Sequence, residues 1–122
     1  MERCRLAIRE KLQAANLKKK LRVLYSTACF GQSHNLDFIQ AGFRVVSGAT
    51  EVNANAVIEY PVFMDAWRDG KTFKSAVYQA PNALTVAQDK LAALILGDTL
   101  GPINSFKQLG GRSYTRITTL AD

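Results

Sequence analysis

Two short apolar runs, Leu21–Thr27 (LRVLYST) and Phe43–Ser47 (FRVVS), fall within about 27 residues, with room between them for one short helix. Runs rich in Val, Leu and aromatic residues, apolar rather than alternating, belong to strands buried on both faces of a parallel sheet. Parallel neighbours need a crossover, so the pair reads as a tight βαβ unit. The crossover helix is expected at His34–Gln40, capped by Ser33 or Asn35 and stopped at Ala41-Gly42. The fold class that follows is α/β: three layers, a mostly parallel sheet with helices on both faces. Such sheets place ligands and nucleophiles at the carboxyl ends of their strands. Cys29, in the Ala28-Cys29-Phe30-Gly31 turn after the first strand, is therefore the leading candidate for a catalytic residue.

The rest of the chain reads as helices and a weakly patterned tail. Residues 2–20 form a basic amphipathic helix, free of Gly and Pro, with Leu6, Ala7, Ile8, Leu12, Ala14, Ala15 and Leu17 on its apolar side. After a loop at Gly48–Asn53, Asn53 or Asn55 can cap a helix running to about Arg68, which Pro61 should kink or restart. Thr72 can cap a helix over Phe73–Gln79, which Pro81-Asn82 follows. Leu84–Leu96 has an apolar side at Leu84, Ala87, Leu91, Leu94 and Ile95, with Gly97 as its stop. Ile103–Leu109 and Tyr114–Leu120, around Gly110-Gly111, look like a hairpin or two edge segments.

At 122 residues the chain is expected to be a single domain, 1–122, divided into the basic helix (1–20), the nucleophile strand with its following βα units (21–80) and a C-terminal helix with the tail (81–122). No apolar stretch reaches the roughly 18–20 residues of a membrane span. With no apolar leader near the N-terminus, a cytoplasmic location is expected. Cys4 and Cys29 lie on different elements without metal-ligand spacing, which favours free thiols over a disulfide. No metal or other cofactor is called for.

Charge is unevenly placed. Residues 1–22 hold eight of the 16 basic side chains but only two of the 10 acidic ones, so they account for the whole net charge of +6. The excess suits a solvated helix whose Lys18–Lys20 cluster complements the helix dipole. It also suits an anionic polymer or surface. Nucleic-acid binding is the weaker of these readings, because the segment lacks interleaved aromatics.

Gly70-Lys71-Thr72 is no phosphate loop, since Asp65 stands where that loop needs glycine and no strand precedes it. His34, the single histidine, follows Cys29 by five residues. It is a possible base for the thiol if the turn folds it back, and otherwise a helix-start or surface residue. Glu51, beyond the second strand, either points into the cleft beside Cys29 or is solvated.

Tyr25-Ser26-Thr27-Ala28-Cys29-Phe30-Gly31 resembles the nucleophile block of the caspase-like (clan CD) cysteine peptidases, nearest to their bacterial, legumain, gingipain and CHAT-type branches. Phe38–Ala49 is similar to the helix and strand that follow the nucleophile there. Val52–Gly70 and Lys71–Val77 resemble the next helices, so the likeness spans roughly residues 5–80. The resemblance implies a hydrolase acting on peptides or proteins, with Cys29 as nucleophile and its own N–H in the oxyanion hole. Ser47, Gly48 and Glu51 would shape the pocket for the residue before the cut, a basic one if Glu51 points inward. The family's catalytic histidine lies in an upstream His-Gly block, and no His-Gly pair occurs here. The expectation is thus an incomplete caspase-like fold, the C-terminal half of a truncated catalytic domain, inactive as an isolated chain. Its partner would be a second chain or a further copy that completes the sheet. A non-catalytic module that completes its sheet in this way is the alternative.

Overall fold

A computed structural model describes residues 22–79 and 83–119, with Ala7, Glu10 and Lys11 in helical conformation. The rest of the helix expected over 2–20, including Cys4, lies outside the described residues. Strands β1 (Val23–Tyr25), β2 (Val45–Ala49) and β3 (Lys107–Gly111) form one sheet in the order β1-β2-β3. Helices α1 (Asn35–Ala41), α2 (Ala56–Arg68), α3 (Phe73–Gln79) and α4 (Ala83–Leu100) connect them, and short 3-10 segments cover Gly31–His34 and Ile117–Thr119.

All five residues of central β2 are buried. Val23, Leu24 and Tyr25 of β1 pair with Val45, Val46 and Ser47 in parallel. On its other side β2 meets β3 in antiparallel register, from Val45 opposite Gly111 to Ala49 opposite Lys107. The sheet is therefore mixed, which corrects the mostly parallel expectation: the chain leaving α4 enters the sheet in the reverse direction. Side chains alternate across a strand. Val45 accordingly joins the main core with Phe63, Ala66, Trp67, Phe73, Ala76 and Val77 of α2 and α3. Val46 points to the other face, where Asn35 and Ile39 of α1 approach Gly110. Helices thus cover both faces.

Local chemistry explains where the elements begin and end. Gly42, at φ 114°, closes α1 with its N–H on the Ile39 carbonyl, while the Phe43 N–H reaches Phe38. The Phe38 and Phe43 rings meet edge-on at 5.5 Å, completing a Schellman closure. That closure takes Phe43 out of the second strand, so β2 starts two residues later than its apolar run. Helix α3 matches expectation, with the Thr72 hydroxyl capping the Ser75 N–H at 3.1 Å. Helix α2 runs through Pro61 without a break. The Val57 carbonyl that loses its donor is on an exposed face, Val57 being 87% accessible, where water can bond it.

Further expectations are corrected. Gly97 does not end α4, which continues to Leu100 and stops at Gly101 (φ 81°), whose N–H bonds the Gly97 carbonyl. Leu91, Leu94 and Ile95, on the apolar side of that helix, are exposed. The tail is no hairpin, and of the two edge segments only the first forms a strand: β3 pairs with β2 at the edge of the sheet and Ile103 bridges Val52, whereas Ser113 and Thr115 offer carbonyls to the first amides of α3. Those amides are orphan donors at a helix start, and satisfying them holds the tail away from strand geometry.

Candidate active site at the carboxyl ends of the parallel strands

Beyond Tyr25 the backbone leaves the sheet, and Cys29 follows in an exposed turn. Two glycines allow the turn to fold onto the sheet. A Cβ on Gly48 of β2 would overlap the Gly31 and Gln32 backbone, so this close approach needs glycine. Phe30, beside Cys29, has φ 54°, the single positive φ of a non-glycine residue among those described. A bulky residue in the left-handed region is strained and must be held there by its surroundings. The Phe30 N–H donates to the Glu51 carbonyl at 2.9 Å, and Asn53 Nδ2 donates to the Thr27 carbonyl at 3.1 Å. The loops after β1 and β2 are stitched together around the thiol.

The amides of this turn are not equivalent. Those of Ala28, Phe30 and Gly31 donate to Ser26 Oγ, the Glu51 carbonyl and the Ala28 carbonyl. The Cys29 N–H has no acceptor among the described residues. A free donor on the nucleophile's own amide is what an oxyanion requires.

Glu51 is half-buried and touches the turn through its backbone carbonyl. Ser47 and Gly48 are buried in β2 beneath the turn, and Ser47 Oγ has no hydrogen-bond partner among the described residues. The half-buried His34 ends the 3-10 segment, its ring 6.5 Å from Phe38. No hydrogen bond joins His34 to Cys29 among the described residues. No group of His, Cys, Asp and Glu side chains among them could hold a metal. No described helix is long and apolar enough to cross a membrane.

Sequence reasoning missed a buried polar network at the same end of the sheet. Lys107 Nζ lies 3.0 Å from Glu59 Oε2, and both side chains are 2% exposed. The ammonium also sits 5.7 Å from the centre of the Tyr25 ring, which stacks on Phe63 at 4.2 Å. Asp89 of α4 accepts from the Ser105 N–H, the Ser105 hydroxyl and Asn55 Nδ2, tying α4 to the start of α2. Burial raises the Glu59 carboxyl above its usual value and outweighs the opposing hydrogen bond and charge of Lys107. Burial likewise raises the Tyr25 phenol, reinforced by Glu59 and Tyr60, so it stays protonated. The one available signal was Lys107 at the head of an otherwise uncharged strand segment, which a buried cation would explain.

The fold and this site define an α/β domain with an exposed thiol at a strained turn on its sheet's carboxyl edge. Among known proteins, the chain matches no family model, no curated protein and no solved structure.

Proposed function

We propose that this chain carries the nucleophile element of a caspase-like cysteine peptidase, with Cys29 attacking a peptide carbonyl. The observation that supports this most is the pairing of an exposed thiol with its own acceptor-free amide, in a turn held by the Phe30–Glu51 hydrogen bond. As a thiolate, Cys29 forms the carbon–sulfur bond, and the carbonyl oxygen becomes an anion that its N–H can stabilise. Collapse of that intermediate expels an amine, which leaves well only when an acid protonates it. The single imidazole in the sequence is His34, which is not hydrogen-bonded to the thiol. The isolated chain is therefore expected to cleave peptides slowly or not at all.

Incubating the purified chain with a peptide library and mapping the products tests this. The expected result is trace cleavage that Cys29→Ala abolishes. Robust turnover lost in Cys29→Ala would overturn the view that the acid–base partner is missing. Loss of that turnover in His34→Ala would name His34 as the base.

A second reading, a non-catalytic module that completes its sheet with another chain, rests on the sheet's small size. Among the described residues the sheet has three strands with β1 and β3 outermost, and the unpaired backbone groups of such edges favour pairing. Sedimentation that shows concentration-dependent association favours this reading, and a monomer at all concentrations speaks against it.

A further inference from the structure

At the end of the sheet away from Cys29, three arginines come from three neighbouring strand termini. Arg22 precedes β1, Arg44 precedes β2 and Arg112 follows β3, whose direction is reversed. Their backbones are bonded to one another: the Arg44 N–H reaches the Arg22 carbonyl at 3.0 Å, and the Arg112 N–H reaches the Arg44 carbonyl at 2.8 Å. Adjacent strands lie about 4.8 Å apart, so three guanidinium groups are rooted within roughly 10 Å. They line an open hollow of about 390 Å³ with Ile39, Gly42, Phe43 and Gly111, and no carboxylate is among its described lining residues. Arg22 and Arg44 each also interact with a further group, whereas Arg112 is exposed.

We propose that this hollow binds a small phosphate-bearing anion, a diphosphate group carried free or on a nucleotide. Guanidinium forks match phosphate oxygens in bidentate geometry, and three of them around one concavity suit several oxygens on a compact ligand. Ile39 and Phe43 supply an apolar wall that bare phosphate leaves uncovered and the ring of a nucleotide covers. The size favours a compact ligand over a polymer track, since pockets for small molecules begin at about 300 Å³.

Calorimetric titration of the full chain with inorganic pyrophosphate and with ADP at low ionic strength tests this. Both are expected to bind, ADP more tightly if the ring uses the apolar wall, and equally if the diphosphate alone is read. Arg112→Gln and Arg44→Gln should each weaken binding about tenfold or more, the loss of one charge-assisted bidentate contact. Arg112→Lys, which keeps the charge but not the fork, should fall between. Arg68→Gln removes an equal charge from a separate hollow beside Asp65 and Asp69 and should leave affinity unchanged, as should Cys29→Ala. Because Arg112 is exposed, its variants fold independently of the result. No heat of binding at millimolar ligand, or an equal loss in Arg68→Gln, would overturn the proposal. So would binding of single-stranded RNA that pyrophosphate cannot displace.

Discussion

Glu59 keeps its proton more readily than an ordinary glutamate because burial costs the carboxylate more than the Lys107 ammonium, 3.0 Å away, returns. The folded-state value lies above the unfolded one. Its contribution to stability is thus fully present below the usual glutamate range and is lost as pH rises through the raised value. Glu59→Gln, which mimics the protonated acid, should match the wild type in acid and equal or exceed it at neutral pH, as read by urea unfolding across that range. A growing deficit of the variant toward neutral pH would contradict this. Lys107→Met should destabilise most toward neutral pH, by about 3–5 kcal/mol, since it strands a buried carboxylate there, and less in acid, where Glu59 is neutral. Cys29 stood out in the sequence because an apolar strand run ends just before it. The long-range pairings at this end of the sheet did not, because Asn53 bonds Thr27 across 26 positions and Lys107 meets Glu59 across 48. Nothing local in a sequence encodes pairings at such distances.

Elements governed by short-range chemistry were the legible ones. The end of α1 at Gly42 and the Thr72 cap of α3 follow from residues within one helical turn. The strands were legible as apolar runs but not in their limits: the Phe38–Phe43 contact moved β2, and β3, with two glycines and a lysine, carries little strand propensity of its own. Its identity comes from pairing with β2. The contact between the turn and the sheet is equally non-local and tightly constrained. Gly48→Ala drives a methyl group into the backbone of Gly31 and Gln32, not into a flexible side-chain end. It should cost at least about 1–3 kcal/mol in thermal or chemical unfolding and alter thiol access at Cys29. Unchanged stability with unchanged access would show that the turn is not seated on β2.

At the scale of the molecule, the aromatic core among the described residues lies on the α2–α3 side of the sheet. Phe73 is fully buried, 5.5 Å from the Phe63 ring and 5.8 Å from that of Trp67, so Phe73→Ala should cost about 3–5 kcal/mol. Trp67 fluorescence during denaturant unfolding reads that loss, and a cost below about 1 kcal/mol, the scale of surface changes, would place the core elsewhere. The α/β class with helices on both faces was legible from the two apolar runs and their spacing. The mixed sheet was not, because strand direction depends on how α4 returns the chain. Two ends of the sheet now carry distinct chemistry, a thiol turn at one and three arginines at the other. The central claim concerns the first: folding presents Cys29 and its amide as a nucleophile with an oxyanion donor. Labelling by a peptidyl acyloxymethyl ketone, located by mass spectrometry in native and urea-unfolded chain, addresses it most directly. Faster modification of Cys29 in the folded chain than in the unfolded one is the predicted result, and equal or slower modification in the folded chain would contradict it.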